Sequence, residues 1–200
     1  VLECDLEDGT ARSRLIESIV GADEGLDVLI NNAAFTGSSE LVGWLTDFEE
    51  QSVDTWRRVM EVNLTAAFDL TKGLSPLLKR GPGGSIVNIS SMSGVRGVGY
   101  SVPYAVSKAG VIHLTTVAAS QYTSQGVRIN CICPGIIRTP INQKFWDEFP
   151  EAEQEWLSIE PIGRYGEPEE VAEVVAWMAS DEASFMHGHA LTVDGGATAQ

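Results

Sequence analysis

Tyr104 and Lys108 stand four residues apart in PYAVSKAG, residues 103–110. On a helix this spacing puts both side chains on one face, one turn apart. A free tyrosine has a pKa of about 10, too high for a proton carrier near neutral pH, and a nearby ammonium favours its phenolate. The pair is therefore equipped for acid–base chemistry, although an ordinary helix start with a solvated lysine has the same spacing. A carbonyl that accepts hydride becomes alkoxide-like, so such a site needs a donor for the oxygen and an acid to complete the alcohol. Hydroxyl donors are at hand in NISSMSG, residues 88–94, just past an apolar run.

Positioning these residues requires an α/β scaffold. Short β-branched runs alternate with longer segments of helical period, which predicts a mainly parallel sheet. The strand candidates are Val1–Cys4, Asp27–Asn31, Gly84–Ile89, Val127–Ile132 and Ala190–Val193. Most are nearly all apolar, as strands covered on both faces are. Leu15, Ile16, Ile19 and Val20 mark one amphipathic helix, and Trp56, Val59, Met60, Asn63, Ala67 and Leu70 trace a longer one. Asn63 thereby falls on an inward stripe, where an amide must find partners or cost about 1–3 kcal/mol. A third helix is expected from about Tyr104 to Ser124, and a fourth from Pro168, burying Val171, Val174, Val175 and Met178. The serines then sit past one strand and the Tyr/Lys pair opens the next helix, at the carboxyl edge of the sheet where ligands of open α/β folds gather.

Composition narrows the function classes. The 200 residues suffice for one domain, 1–200, and a net charge of −15 repels nucleic acid and anionic membrane surfaces. No apolar stretch reaches the roughly 18–20 residues of a membrane helix. Cys4, Cys131 and Cys133 are too few for a disulfide framework and read as reduced core thiols of a cytoplasmic protein. No Cys or His set has zinc spacing, and HGH at 187–189 reads as a surface pair, so no metal is expected.

Six segments in order give the chain a family likeness: NNAA (31–34), VNLTAAF (62–68), GSIVNISSMSG (84–94), YAVSK (104–108), CPGIIRT (133–139) and LTVDGG (191–196). Together they resemble the classical short-chain dehydrogenase/reductase family over essentially the whole chain. PIGRYGEPEEVA, 161–172, looks most like the oxoacyl-carrier-protein reductases and related sugar or polyol dehydrogenases. The resemblance implies a Rossmann-like doubly wound parallel sheet in three layers. It also implies an oxidoreductase passing hydride between NAD or NADP and a secondary alcohol or ketone.

By the same likeness the catalytic serine is Ser91 and not Ser90, completing a tetrad of Asn63, Ser91, Tyr104 and Lys108. In the family the lysine also holds the nicotinamide ribose hydroxyls, and the asparagine keeps a water in a proton relay. Asp5 and Leu6 match the adenine contacts, and Asn31 and Ala33 the turn under the adenosine ribose and diphosphate. Pro134, Gly135, Ile137 and Thr139 match the segment that holds the nicotinamide carboxamide and diphosphate. Residues 140–165, with Phe145, Trp146, Phe149 and Trp156, correspond to a lid over the substrate. The helices around Trp56–Leu70 and Tyr104–Ser124 correspond to those that pair in family dimers and tetramers, so a homo-oligomer is expected. Residues 35–54 are longer than the usual connection, as either an entrance wall or a surface loop.

The family's TGxxxGIG turn is not in the sequence, and its strand order, 3-2-1-4-5-6-7, separates a third strand from a fourth by two others. Val1–Cys4 would then lack a neighbour and VLIN would be an exposed apolar edge. The expectation is therefore that the functional protein carries about 50–60 further residues upstream, at usual element lengths. The alternative is a non-catalytic, oligomer-forming remnant unable to bind dinucleotide.

Overall fold

The computed structural model describes residues 1–22, 24–36, 41–81, 83–97 and 101–199. Strands β1 (Val28–Asn31), β2 (Gly84–Ile89), β3 (Val127–Pro134) and β4 (Ala190–Val193) form one parallel sheet in that spatial order. Helix α1 (Gly9–Gly21) precedes β1. Between β1 and β2 lie α2 (Val53–Met60), a π-helical turn (Glu61–Thr65) and α3 (Ala66–Leu78). Helices α4 (Met92–Val95) and α5 (Val102–Tyr122) connect β2 to β3, and α6 (Pro140–Glu148), α7 (Pro150–Leu157) and α8 (Pro168–Ala179) connect β3 to β4.

Alternate residues of the central strands go to opposite layers. Ile86, Val127 and Ile129 pack with Leu78 of α3 and with Ala118 and Ala119 of α5. Val87 and Ile132 pack with Met178 of α8, flanked by Val171, Val174 and Val175. Both faces are therefore apolar, which is why the strands read as unbroken hydrophobic runs. This is the expected three-layer α/β sandwich. Cys131 and Cys133 point to one side of β3 and are buried, unpaired thiols beside Val111.

The helix starts are written locally. Ser101 caps α5 by accepting from Tyr104 N at 3.4 Å, with Pro103 in the first turn. Glu167 and Glu170 form a reciprocal capping box around Pro168 at the head of α8. In α1, Leu15, Ile16, Ile19 and Val20 are half-buried as the pattern predicts. Ile16 lies over Gly73 of α3, where a Cβ would stand 2.7 Å from its Cδ1.

One expectation is corrected and one refined. Val1–Cys4 is not a strand: a strand needs a partner's hydrogen-bonding edge, and among the described residues none faces it, leaving Val1 and Leu2 exposed. As the strand order implied, β1 is then an apolar edge, with Val28 and Ile30 exposed at 37% and 47%. The long helix through Asn63 runs unbroken from Val53 to Leu78, but not as one α-helix throughout. A π turn replaces the α pattern at Glu61–Thr65, a feature that concentrates at functional sites.

The turn after β2 is pressed onto α5 at Gly94, where a Cβ would sit 2.7 Å from the Lys108 carbonyl carbon and 2.8 Å from Ala109 N. Backbone cannot retreat as a flexible side chain can. Gly94→Ala is therefore expected to cost about 1–3 kcal/mol, measured as a lower urea midpoint. An unchanged midpoint would show that the two segments separate freely.

Candidate active site

The turn at the end of β2 and the first two turns of α5 converge at the sheet's carboxyl edge. Ser91 caps α4, its Oγ accepting from Ser93 N at 3.1 Å, and its hydroxyl lies close enough to the Tyr104 phenol to favour the ionised form of that group. Its neighbour Ser90 is engaged elsewhere, donating from Oγ to Lys108 O at 2.7 Å. Lys108 is 3% exposed; its Nζ donates to Ile89 O at 2.8 Å and lies 5.7 Å from the Tyr104 ring centroid, within cation–π range.

Burial dominates the electrostatics of this group. Desolvation lowers the Lys108 amine to about 8. It also raises the Tyr104 phenol above its ordinary value, partly offset by the nearby Ser91 hydroxyl. The expectation that Lys108 depresses the tyrosine is thus corrected for the free protein. An ammonium nearly 6 Å from the ring centroid is a weaker influence than the loss of water around the phenol.

Asn63 is 3% exposed and sits in the π turn. Its Oδ1 accepts from Phe35 N at 2.7 Å, and its Nδ2 donates to Phe35 O at 3.1 Å and Ser107 Oγ at 3.1 Å. The side chain thus ties the segment after β1 to α5, one residue from Lys108. A second buried network runs from Asn31 Nδ2 to Asn88 Oδ1 at 2.8 Å, and from Asn88 Nδ2 to Thr115 Oγ1 at 2.9 Å.

A cleft of about 860 Å³ opens over this group. Ser91, Tyr104, Lys108, Ala33, Pro134, Gly135, Ile137 and Thr139 line it. Asp5, Leu6 and Asn31 do not belong to that lining: Asp5 Oδ1 caps the turn at Glu7 N, Leu6 O accepts from Arg12, and Asn31 serves the amide network. Sequence reasoning missed Asn32 and Ala34, which do line the cleft, although they lie within the NNAA segment. It also missed Trp44, buried with its ring edge-on to Tyr104 at 6.4 Å and 69°. Part of residues 35–54 lies outside the described residues, but Leu45, Thr46 and Asp47 line the cleft, which places this connection at the entrance.

The segment after β3 divides its aromatics between two tasks. Phe145 and Trp156 line the cleft and stack on each other, 5.2 Å apart at 19°. Trp146 turns inward, stacked on Tyr165 at 4.4 Å with the Arg138 guanidinium over both rings. Phe149 is 41% exposed.

Comparison with known proteins agrees with this geometry. The family model described as enoyl-(acyl carrier protein) reductase matches residues 1–198. The chain belongs to the short-chain dehydrogenase/reductase family. It is 38% identical over 183 residues to a 3-oxoacyl-[acyl-carrier-protein] reductase of Thermotoga maritima, covering 91% of this chain and 70% of that protein. It is 40% identical over 185 residues to a cyclohexanol dehydrogenase of an Acinetobacter species, covering 92% and 69%. Among solved structures, ElxO with NADP bound superimposes with a TM-score of 0.89 at 32% identity, covering 100% of this chain and 78% of that one. Family membership carries NAD(P)-dependent oxidoreduction of alcohols or ketones, and the non-catalytic alternative is not favoured. No helix among the described residues is long and apolar enough to cross a membrane.

The cleft fits the nicotinamide end of such a cofactor, since Lys108, Pro134, Gly135, Ile137 and Thr139 line it. Of the three N–H groups of the Lys108 ammonium, one is engaged by Ile89 O, which leaves donors for ribose hydroxyls. Backbone at Asn32–Ala34 and Pro134–Ile137 forms two further walls at the carboxyl ends of β1 and β3.

Two tests follow from the burial of these groups. The folded protein releases the Lys108 proton near pH 8, whereas the unfolded chain holds it to about pH 10.4. More protons are then bound in the unfolded state across that interval, so this group makes stability rise with pH between about 8 and 10. Lys108→Met should flatten the rise in denaturation free energy over that range, and an unaltered slope would assign it elsewhere. Asn63→Ala should lower stability by about 1–3 kcal/mol, because it strands the Phe35 amide and carbonyl; a thermal midpoint equal to wild type would contradict the tie.

Proposed function

We propose that Ser91, Tyr104 and Lys108 carry the chemistry of an NAD(P)-dependent oxidoreductase that interconverts a secondary alcohol and a ketone. The observation that supports this most directly is the convergence of Ser91, Tyr104 and Lys108 on one cleft, with the Ser91 hydroxyl beside the Tyr104 phenol. Two hydroxyls side by side in that way are placed to receive one substrate oxygen between them. When bound, the nicotinamide supplies or accepts the hydride.

In the reducing direction Ser91 donates a hydrogen bond to the carbonyl oxygen, and Tyr104 gives that oxygen its proton as charge develops there. In the oxidising direction the Tyr104 phenolate takes the hydroxyl proton. Lys108 supplies positive charge beside the ring and N–H donors to the cofactor ribose. Ala33, Pro134, Gly135, Ile137 and Thr139 form the cofactor walls, with Asn32 and Ala34 added to them. Asn63 acts as a positioning residue through Phe35 and Ser107.

Residues 140–165 serve as a lid. Trp146 anchors it against Tyr165 and Arg138, while Phe145 and Trp156 present its working face to the substrate. Exposed Phe68 on α3, with Val106 and Val117 on α5, offers an apolar face for pairing two copies, which supports a homo-oligomer. The unpaired buried thiols suit a reducing compartment, and we place the protein in the cytoplasm.

Tyr104→Phe should lower kcat/KM by about 10²- to 10⁴-fold while NADH or NADPH still binds, as followed by fluorescence titration. Ser91→Ala should lower it by about 10²- to 10³-fold. Turnover at the wild-type rate in Tyr104→Phe would remove the tyrosine from the mechanism.

A further inference from the structure

We infer that the cleft takes an uncharged secondary alcohol or ketone on an apolar body, and discriminates against substrates that carry a carboxylate or phosphate. This rests on reading Ser91 and Tyr104 as the site of the reacting oxygen. Beyond those two hydroxyls, the walls that would hold the rest of a substrate come from two separate elements. Leu45 belongs to the connection after β1, and Ile141, Phe145, Trp156 and Ile159 belong to α6, α7 and the turn that follows. These side chains offer dispersion and burial and have little to give a charged group.

Charge on the lining has one prevailing sign. Lys108 is the single cation among the described lining residues, and its amine is held deep by Ile89 O. Asp47 and Glu155 are on the same lining. Nearby cations are committed elsewhere. Arg138 lies over Trp146 and Tyr165 and reaches Gln143 and Glu153. Arg164 makes a two-pronged pair with Glu170, and Lys144 is not part of the described lining.

An anionic group seated against the Leu45, Ile141, Phe145, Trp156 and Ile159 walls would exchange water for apolar surface without a counter-charge, which is unfavourable, and would meet repulsion from Asp47 as well. A neutral molecule incurs neither cost and gains the burial of its apolar body.

The test compares matched substrates on the active enzyme with both NAD and NADP supplied: methyl 4-hydroxycyclohexanecarboxylate, the corresponding free carboxylate, and 3-hydroxybutyryl coenzyme A. We expect kcat/KM for the ester to exceed that for each anion by about tenfold or more, and Asp47→Lys to narrow the ester-to-carboxylate ratio by about threefold at low salt. Equal or better turnover of either anion overturns the inference while leaving the oxidoreductase reading intact. Hydride transfer to or from none of the three, with dinucleotide bound, counts against the reading of Ser91 and Tyr104 and takes the inference with it.

Discussion

The contact between the end of β2 and the second turn of α5 is the constraint on which the site depends. Ile89 O receives the Lys108 ammonium, Ser90 Oγ donates to the Lys108 carbonyl, and Gly94 lets the turn lie directly on the α5 backbone. Three interactions of different kinds thereby fix one register. That register brings the next hydroxyl, Ser91, to the Tyr104 phenol. A buried ammonium is costly, and the downward movement of its pKa to about 8 measures that cost. The carbonyl of Ile89 compensates part of it and ties the lysine to the strand at the same time.

Around this contact the polar interior is organised to hold backbone. Asn63 makes a two-way bridge to Phe35 and reaches Ser107, and Asn88 links Asn31 in β1 to Thr115 in α5. Each amide satisfies donors and acceptors that would otherwise be stranded beneath the sheet edge. The π turn at Glu61–Thr65 belongs to the same design, since Asn63 lies within it. Family membership agrees with this arrangement because the matched segments are those that form the contact, the amide bridges and the cleft walls.

The outer part of the cleft follows different physics. Trp146, Tyr165 and Arg138 form a stacked base for the segment after β3, and Phe145 with Trp156 forms the surface turned to the cleft. Leu45 and Asp47 come from the long connection after β1. The inner site is thus dense in hydrogen bonds and the outer walls are mostly apolar, which separates the proposed chemistry from the choice of substrate.

Much of this was legible in the sequence. Four of five strands, the helix starting at Pro168 and the half-buried stripe of α1 follow from periodicity, capping residues and apolar runs, which act locally. The segments around Ser91, Tyr104, Lys108 and Pro134 were identifiable because their order and spacing are properties of the chain. Tertiary structure decided the rest. Val1–Cys4 has strand composition but, among the described residues, no partner edge, and pairing is not local. Phe145 and Trp146 are adjacent in sequence, yet one faces the cleft and the other the core, because Tyr165 and Arg138 offer a stacking site on one side only. The direction of the Tyr104 shift also lay beyond sequence: four residues of separation promise an ammonium nearby, but only packing sets how much water both groups lose, and here desolvation outweighs proximity.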